Sequence, residues 1–148
     1  MWASIAYTLM LSTGVAGQWI GGKTASKVGS KKVVIVTMAG VCMSLLFLLF
    51  IPMRFLGAGM FIIIYGLSFY GHQPALNALT GFLTPYGQRG AVFGIYFFAS
   101  FGVGSISQLI AGYIADTYGL QTAFYLLTAF AGGALLLSLK LPKEPEPK

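Results

Sequence analysis

The chain has 148 residues, of which 57% are hydrophobic and only 8% are charged. About a quarter of a soluble domain is charged, so this composition excludes an ordinary soluble domain. It also excludes a disordered chain, which needs low hydrophobicity and high charge. The single cysteine, Cys42, excludes a disulfide framework, and the single histidine, His72, argues against a histidine-rich metal site. The net charge of +6 does not indicate nucleic acid, because the basic residues lie between long apolar runs, as in a membrane protein.

Charged residues divide the chain into long uncharged stretches. A bilayer core about 30 Å thick needs about 20 helical residues, and a charge at its centre costs at least about 2.5–3.5 kcal/mol. The pattern therefore predicts five transmembrane spans. Pro74 and the loop-like segment 84–87 predict that the third span ends before Pro85. The predicted spans are 1–22, 33–53, 55–82, 90–115 and 119–140, and residues 141–148 form a tail.

These spans are predicted to be helices rather than strands of a membrane barrel. Barrel strands alternate apolar and polar residues over about ten positions, whereas residues 41–51 are apolar without alternation. The frequent glycines suit membrane helices, in which small residues let backbones approach closely. The predicted fold class is therefore an all-α membrane protein.

Basic residues predict how the spans are oriented. With five spans the connections alternate between sides, so eight basic residues share one side and Arg54 lies alone on the other. The positive-inside rule puts the larger group in the cytoplasm. We therefore expect a multi-pass protein of the cell membrane with a cytoplasmic C-terminus. The eight residues are Lys23, Lys27, Lys31, Lys32, Arg89, Lys140, Lys143 and Lys148.

A short repeat links two of the helix ends. Residues 22–29 and 112–119 both read glycine, three residues, a small polar residue, two residues, glycine. The pattern is typical of a helix end and a tight turn, with the second glycine, Gly29 or Gly119, in a left-handed conformation. Because the two helices run in opposite directions, the repeat predicts inverted three-helix units. The first helix of the first unit is then expected before Met1.

The first copy of the repeat resembles the loop signature of the major facilitator superfamily. That signature reads glycine, three residues, Asp, Arg or Lys, one residue, glycine and two basic residues. Here Ser26 takes the acidic position and Ser30 the first of the two basic positions, and Lys32 supplies a further positive charge. The matching residues are Gly22, Lys27, Gly29 and Lys31.

Residues 89–95 and 111–120 also look like the second half of that family, and the charged, proline-rich tail suits its C-terminus. The chain thus resembles helices eight to twelve of a twelve-helix facilitator, a six-helix half bundle whose first helix is missing. The resemblance implies a secondary active transporter that moves a small solute by alternating access. It also implies a partner, either the N-terminal half or a second copy, and it names no substrate.

The signature residues have two interpretations. The resemblance implies an intracellular gate formed by Gly22, Ser26, Lys27, Gly29, Lys31 and Lys32. Alternatively, the lysines only set the topology and contact anionic lipid, at about 1 kcal/mol for each basic residue near the surface. The uncharged Ser26 departs from the acidic residue on which the family's gate is centred.

Polar residues within the third and fourth spans are the candidates for a substrate path. Gln73 and Asn77 share one helical face, and a histidine within a membrane span indicates function by default. His72 or Gln73 could instead satisfy the carbonyl that Pro74 frees. In the fourth span Gly104, Gln108 and Gly112 recur every four residues, and this stripe favours close helix packing over a wall of the path. The candidates are His72, Gln73, Asn77, Ser100 and Gln108.

Three charged residues could hold a conformation. Arg89 and Asp116 are separated by 27 residues, roughly 40 Å of helix, so they cannot pair with each other. Arg54 and Asp116 share the predicted outer side and could form an ion pair. Alternatively, Asp116 only caps the turn before Gly119.

No enzyme is predicted, because no catalytic triad, no paired carboxylates within a span and no phosphate-binding loop occur in the sequence. We likewise expect no cofactor, no metal and no nucleic acid. The alternative to a transporter is a non-transporting membrane protein, either an assembly partner or an inactive remnant.

Overall fold

The computed structural model describes the backbone of residues 2–51 and 54–142, and the side chains of residues 4–51 and 55–142. These residues form helices joined by short turns, without strands, which confirms the all-α fold class. A short 3-10 turn, Tyr86–Gln88, precedes the fourth helix. The helices are α1 (Trp2–Val28), α2 (Ser30–Phe50), α3 (Arg54–Leu83), α4 (Arg89–Tyr118) and α5 (Leu120–Leu139).

Every helix is long enough to cross a bilayer, since the shortest, α5, has 20 residues and about 20 are needed. By length and composition, four segments of the described chain qualify as membrane spans: Ser30–Phe50, Phe55–Leu83, Tyr86–Tyr118 and Leu120–Leu139. The first helix, α1, is less apolar because it carries several hydroxyl and amide residues. Two of these, Thr8 and Ser12, donate hydrogen bonds to the carbonyls of Ser4 and Thr8, each at 2.9 Å. This internal pairing lowers the cost of placing them in hydrocarbon.

The helices extend beyond the predicted spans at the lysine-rich turn. α1 continues through Lys23 and Lys27 to Val28, and α2 begins at Ser30, so Gly29 alone joins them. At the other predicted loop, α3 ends at Leu83, just before residues 84–87. The basic residues near residue 29 therefore lie on helix ends rather than in a loop.

Two glycines shape the two single-residue turns in the same way. Gly29 has φ 94° and ψ 141°, and Gly119 has φ 90° and ψ 152°. Each N–H donates to a carbonyl four residues back, that of Ala25 or Ala115, at 3.0 Å. The predicted positive φ is confirmed, but ψ is extended rather than left-handed helical. The extended ψ lets the next helix start at once in a new direction.

α3 is the central helix of the bundle. It packs against α1 and α2, α2 packs against α5, and α4 packs mainly against α5. The α1–α3 crossing is close, because a Cβ on Gly17 or Gly21 would collide with the backbone of Leu67 or Gly71. Small residues permit such approaches in membranes. The packing order α1, α3, α2, α5, α4 leaves one flank of α4 without a neighbouring helix of the described chain.

The packed core lies at the end of the bundle that carries the lysine-rich turn. Ala25, Val33, Val34 and Ala75 are buried there, and Leu141 packs against them. The ends of α1, α2, α3 and α5 therefore meet at one face of the molecule. The described basic side chains lie at this face: Lys23, Lys27, Lys31, Lys32, Arg89 and Lys140.

Candidate functional site

An open cleft of about 490 Å³ lies between α3 and α4. The two helices meet near their connecting turn, where Gly81 lies against the ring of Phe93. Further along, α4 follows α5 instead of α3, which opens the space. Along α4 the cleft extends from Tyr96 to Gln108, roughly 18 Å of helix. It therefore reaches past the middle of the helix.

All five residues predicted for a substrate path line this one cleft. His72, Gln73 and Asn77 form the α3 wall, and Ser100 and Gln108 belong to the α4 wall. The structure thus brings together side chains as far apart in sequence as His72 and Gln108, which are 36 positions apart. Their function in transport stays a prediction, but their proximity is a property of the fold.

One polar atom on the α3 wall, Oδ1 of Asn77, is buried and lacks a hydrogen-bond partner among the described residues. The imidazole of His72 lies close to the backbone of Ser68 and Phe69, one turn earlier on the same helix. An unsatisfied buried polar group costs about 1–3 kcal/mol. Functional sites often depart from the rule that buried polar groups are hydrogen-bonded, because a bound ligand can supply the missing partner.

Gln73 is held in place by a residue that the sequence did not single out. Nε2 of Gln18, on α1, donates to Oε1 of Gln73 at 3.2 Å. No hydrogen bond of the described chain joins His72 or Gln73 to the carbonyl freed by Pro74. The alternative interpretation of these two residues therefore has no contact to support it.

Aromatic rings form a second layer on both walls. On α3, Tyr65 and Phe69 stack with ring centroids 5.0 Å apart, and Phe69 meets the ring of His72 at 5.4 Å. On α4, Phe97 and Phe101 stack at 5.9 Å. The rings present flat apolar surfaces beside the amide and hydroxyl groups.

Several residues that line the cleft were not predicted from the sequence, although the four-residue spacing of aromatic residues on α3 and α4 is a signal for them. Phe97 and Phe101 lie four residues apart on α4, and both line the cleft. On α3 the aromatic residues continue at the same spacing into the predicted Gln73 and Asn77. The lining residues outside the five predicted ones are Phe69, Tyr70, Tyr96, Phe97, Phe101, Gly104 and Ser105.

Close packing was the favoured interpretation of the Gly104, Gln108 and Gly112 stripe. A Cβ on Gly104 or Gly112 would meet nothing within 4 Å in the described chain, and Gln108 is exposed. The stripe therefore packs against no helix of the described residues, and Gly104 and Gln108 face the cleft instead.

The signature lysines have different surroundings. Nζ of Lys31 donates to the carbonyls of Leu139, at 2.9 Å, and Leu141, so it caps the end of α5. Lys23 lies 4.9 Å from the ring centroid of Trp19. Ser26, at the family's acidic position, donates to the carbonyl of Lys23 at 2.9 Å. Lys31 thus ties the lysine-rich turn to the last helix, a contact that neither interpretation anticipated.

The structure describes the side chains of Arg89 and Asp116, two of the three charged residues predicted to hold a conformation, and these two lie at opposite ends of α4. The guanidinium of Arg89 lies 3.9 Å from the ring centroid of Tyr86, in a cation–π contact. Asp116 is exposed in the last turn of α4 and makes no ion pair or hydrogen bond within the described part of the chain. The turn-capping interpretation of Asp116 therefore has no bond to support it. The proposed pair with Arg54 stays a prediction, because the side chain of Arg54 lies outside the described residues.

Long apolar helices with basic residues at one end define a multi-pass membrane protein, and two of its helices enclose a cleft lined by amide, hydroxyl and aromatic side chains. The family model of the Major Facilitator Superfamily matches residues 1–148, so the chain belongs to that superfamily. Members of this superfamily are membrane transporters rather than enzymes. No curated protein matches the chain.

Proposed function

We propose that the chain is part of a secondary active transporter that carries a small solute across the cell membrane by alternating access, as a symporter or an antiporter. Family membership supports the transporter class. The observation that carries the proposal is the α3–α4 cleft, which gathers five polar candidates between two aromatic walls. Small-solute sites combine apolar surface with a few polar groups in this way.

The chemistry of the walls favours an uncharged solute. The cleft is lined by amides, hydroxyls, aromatic rings and one histidine, with no Asp, Glu, Lys or Arg among the lining residues. A cation or anion taken from water into such a site would lose hydration without gaining a counter-charge. A neutral solute with hydrogen-bonding groups on one side and an apolar face on the other fits both layers.

The open side of the cleft calls for a further wall. α4 packs mainly against α5 and buries none of its side chains in the described structure. A second helical bundle, either the other half of a facilitator or a second copy, would close the cleft from that side. Rocking of the two bundles around the cleft would then expose it to each side in turn.

We place the basic end of the bundle, with the C-terminus, in the cytoplasm. The described basic side chains share that end, and Asp116 lies at the opposite end of α4. This distribution agrees with the positive-inside rule.

Single-cysteine accessibility tests the path without knowledge of the solute. In a Cys42→Ser background, Ser105→Cys places a thiol in the cleft, and Ser107→Cys places one on the same helix outside it. We expect a membrane-impermeant charged thiol reagent to modify residue 105 in intact vesicles and to leave residue 107 largely unmodified. Equal modification at both positions, or none at residue 105 from either side, would contradict a water-filled path.

A further inference from the structure

A second cavity of about 280 Å³ lies between α1 and α2, on a different side of the bundle from the cleft. Both helices pack closely on α3 and touch each other less, which leaves a groove between them. Leu67 of α3 lies at its floor, and Ile20, Val28 and Val36 line its walls. These three side chains remain 48%, 43% and 69% exposed, so the groove is open sideways.

The groove crosses the boundary between the predicted membrane span and the lysine-bearing helix end. Along α1 it extends from Gly17 to Val28, roughly 16 Å of helix. The predicted span ends at residue 22, which places Ile20 at the level of the hydrocarbon and Val28 at the level of the lipid headgroups. The groove therefore combines apolar walls inside the membrane with a basic end at its surface.

The charge on the groove lies at one end only. Lys32 lines it beside Val28, next to the α1–α2 turn. Lys27 precedes Val28 in the same turn of α1. Lys31 is already engaged with the end of α5, so Lys32 is the lysine that lines the groove and is free, within the described structure, to bind a ligand. No acidic residue lines the groove.

We propose that this groove binds one anionic phospholipid. Its acyl chain lies along Ile20, Val36 and Leu67, and its phosphate pairs with Lys32 at the membrane surface. The apolar walls account for the acyl chain, and the terminal lysine accounts for the negative headgroup. Because most of the lining residues are apolar, a lipid fits the groove better than free phosphate does. The lipid would bridge α1 and α2 beside the turn at Gly29, where the signature lysines lie.

Native mass spectrometry of the full chain in detergent tests this site. The probes are phosphatidylglycerol and phosphatidylcholine with identical acyl chains, and inorganic phosphate serves as competitor. We expect one phosphatidylglycerol to be retained in preference to phosphatidylcholine, without displacement by millimolar phosphate. Equal retention of the two lipids, or displacement by phosphate alone, would overturn the proposal.

Two matched pairs of variants locate the lipid. Lys32→Gln should weaken phosphatidylglycerol binding about fivefold, since about 1 kcal/mol is expected for one basic residue at an anionic surface. Lys140→Gln removes an equal charge at the same end, outside the groove, and should change binding less than twofold. Val36→Phe fills the groove and should abolish retention of both lipids, whereas Val103→Phe, exposed on α4, should not. Equal effects within either pair would overturn the proposal, and circular dichroism verifies that each variant stays helical.

Discussion

At the scale of single residues, the two amide side chains on the α3 wall of the cleft differ in their hydrogen bonding. Gln73 accepts a hydrogen bond from Gln18, whereas Oδ1 of Asn77, one turn further along the same face, is buried without a partner among the described residues. The sequence predicted both amides but could not distinguish them, because the partner of Gln73 lies 55 positions away on α1. The free amide is the one available to a solute.

The two amides should therefore respond differently to replacement by leucine. Asn77→Leu removes an unsatisfied group and should leave the free energy of unfolding unchanged or raise it by up to about 1 kcal/mol. Gln73→Leu leaves Gln18 unpaired and should lower it by about 0.6–2 kcal/mol. Thermal unfolding of both variants in the same detergent measures the difference. A loss for Asn77→Leu as large as that for Gln73→Leu would contradict the assignment.

Lys31 should contribute to stability through its contact with α5. Lys31→Met removes hydrogen bonds from a charged donor to the carbonyls of Leu139 and Leu141, and such bonds contribute about 1.5–3 kcal/mol. Lys32→Met, at the neighbouring exposed position, should change stability by less than about 0.5 kcal/mol in detergent without added lipid. Unfolding monitored by circular dichroism compares the two, and equal effects would rule out the capping role.

At the scale of helices, two matching glycine turns direct the chain from α1 into α2 and from α4 into α5. Gly29 and Gly119 share nearly the same φ and ψ, as the repeated sequence predicts. The positive φ could be predicted from this local pattern, whereas the extended ψ differs from the predicted left-handed conformation. The loose packing of α4 could not be predicted, because apolarity around a membrane helix does not distinguish lipid from a neighbouring helix.

Alanine substitution should separate a turn glycine from a helix glycine. Gly119→Ala forces a side chain into a conformation that favours glycine, at a cost of about 1–3 kcal/mol. Gly112→Ala lies inside α4, where the added methyl group would meet nothing within 4 Å in the described chain, and should stabilise the helix by about 0.5–1 kcal/mol. Thermal melting in detergent gives both values, and a neutral Gly119→Ala would argue against the positive φ.

At the scale of the whole molecule, the distribution of charge is the basis of the proposed orientation in the membrane. The described basic side chains lie at one end of the bundle. The helices are held together at that end by the buried cluster around Ala25 and by the contact of Lys31 with α5. The sequence predicted this segregation because each charge must stay out of hydrocarbon. The cleft residues were predicted as polar but not as neighbours, because their proximity depends on how α3 and α4 diverge.

Sidedness of single cysteines tests this arrangement most directly. In a Cys42→Ser background, cysteines at Lys27 and Lys140 and at Asp116 are labelled with an impermeant maleimide in right-side-out and in inverted vesicles. We expect residues 27 and 140 to react only in inverted vesicles and residue 116 only in right-side-out vesicles. Reaction of residues 27 and 116 from the same side would contradict the alternating passage of these helices through the membrane.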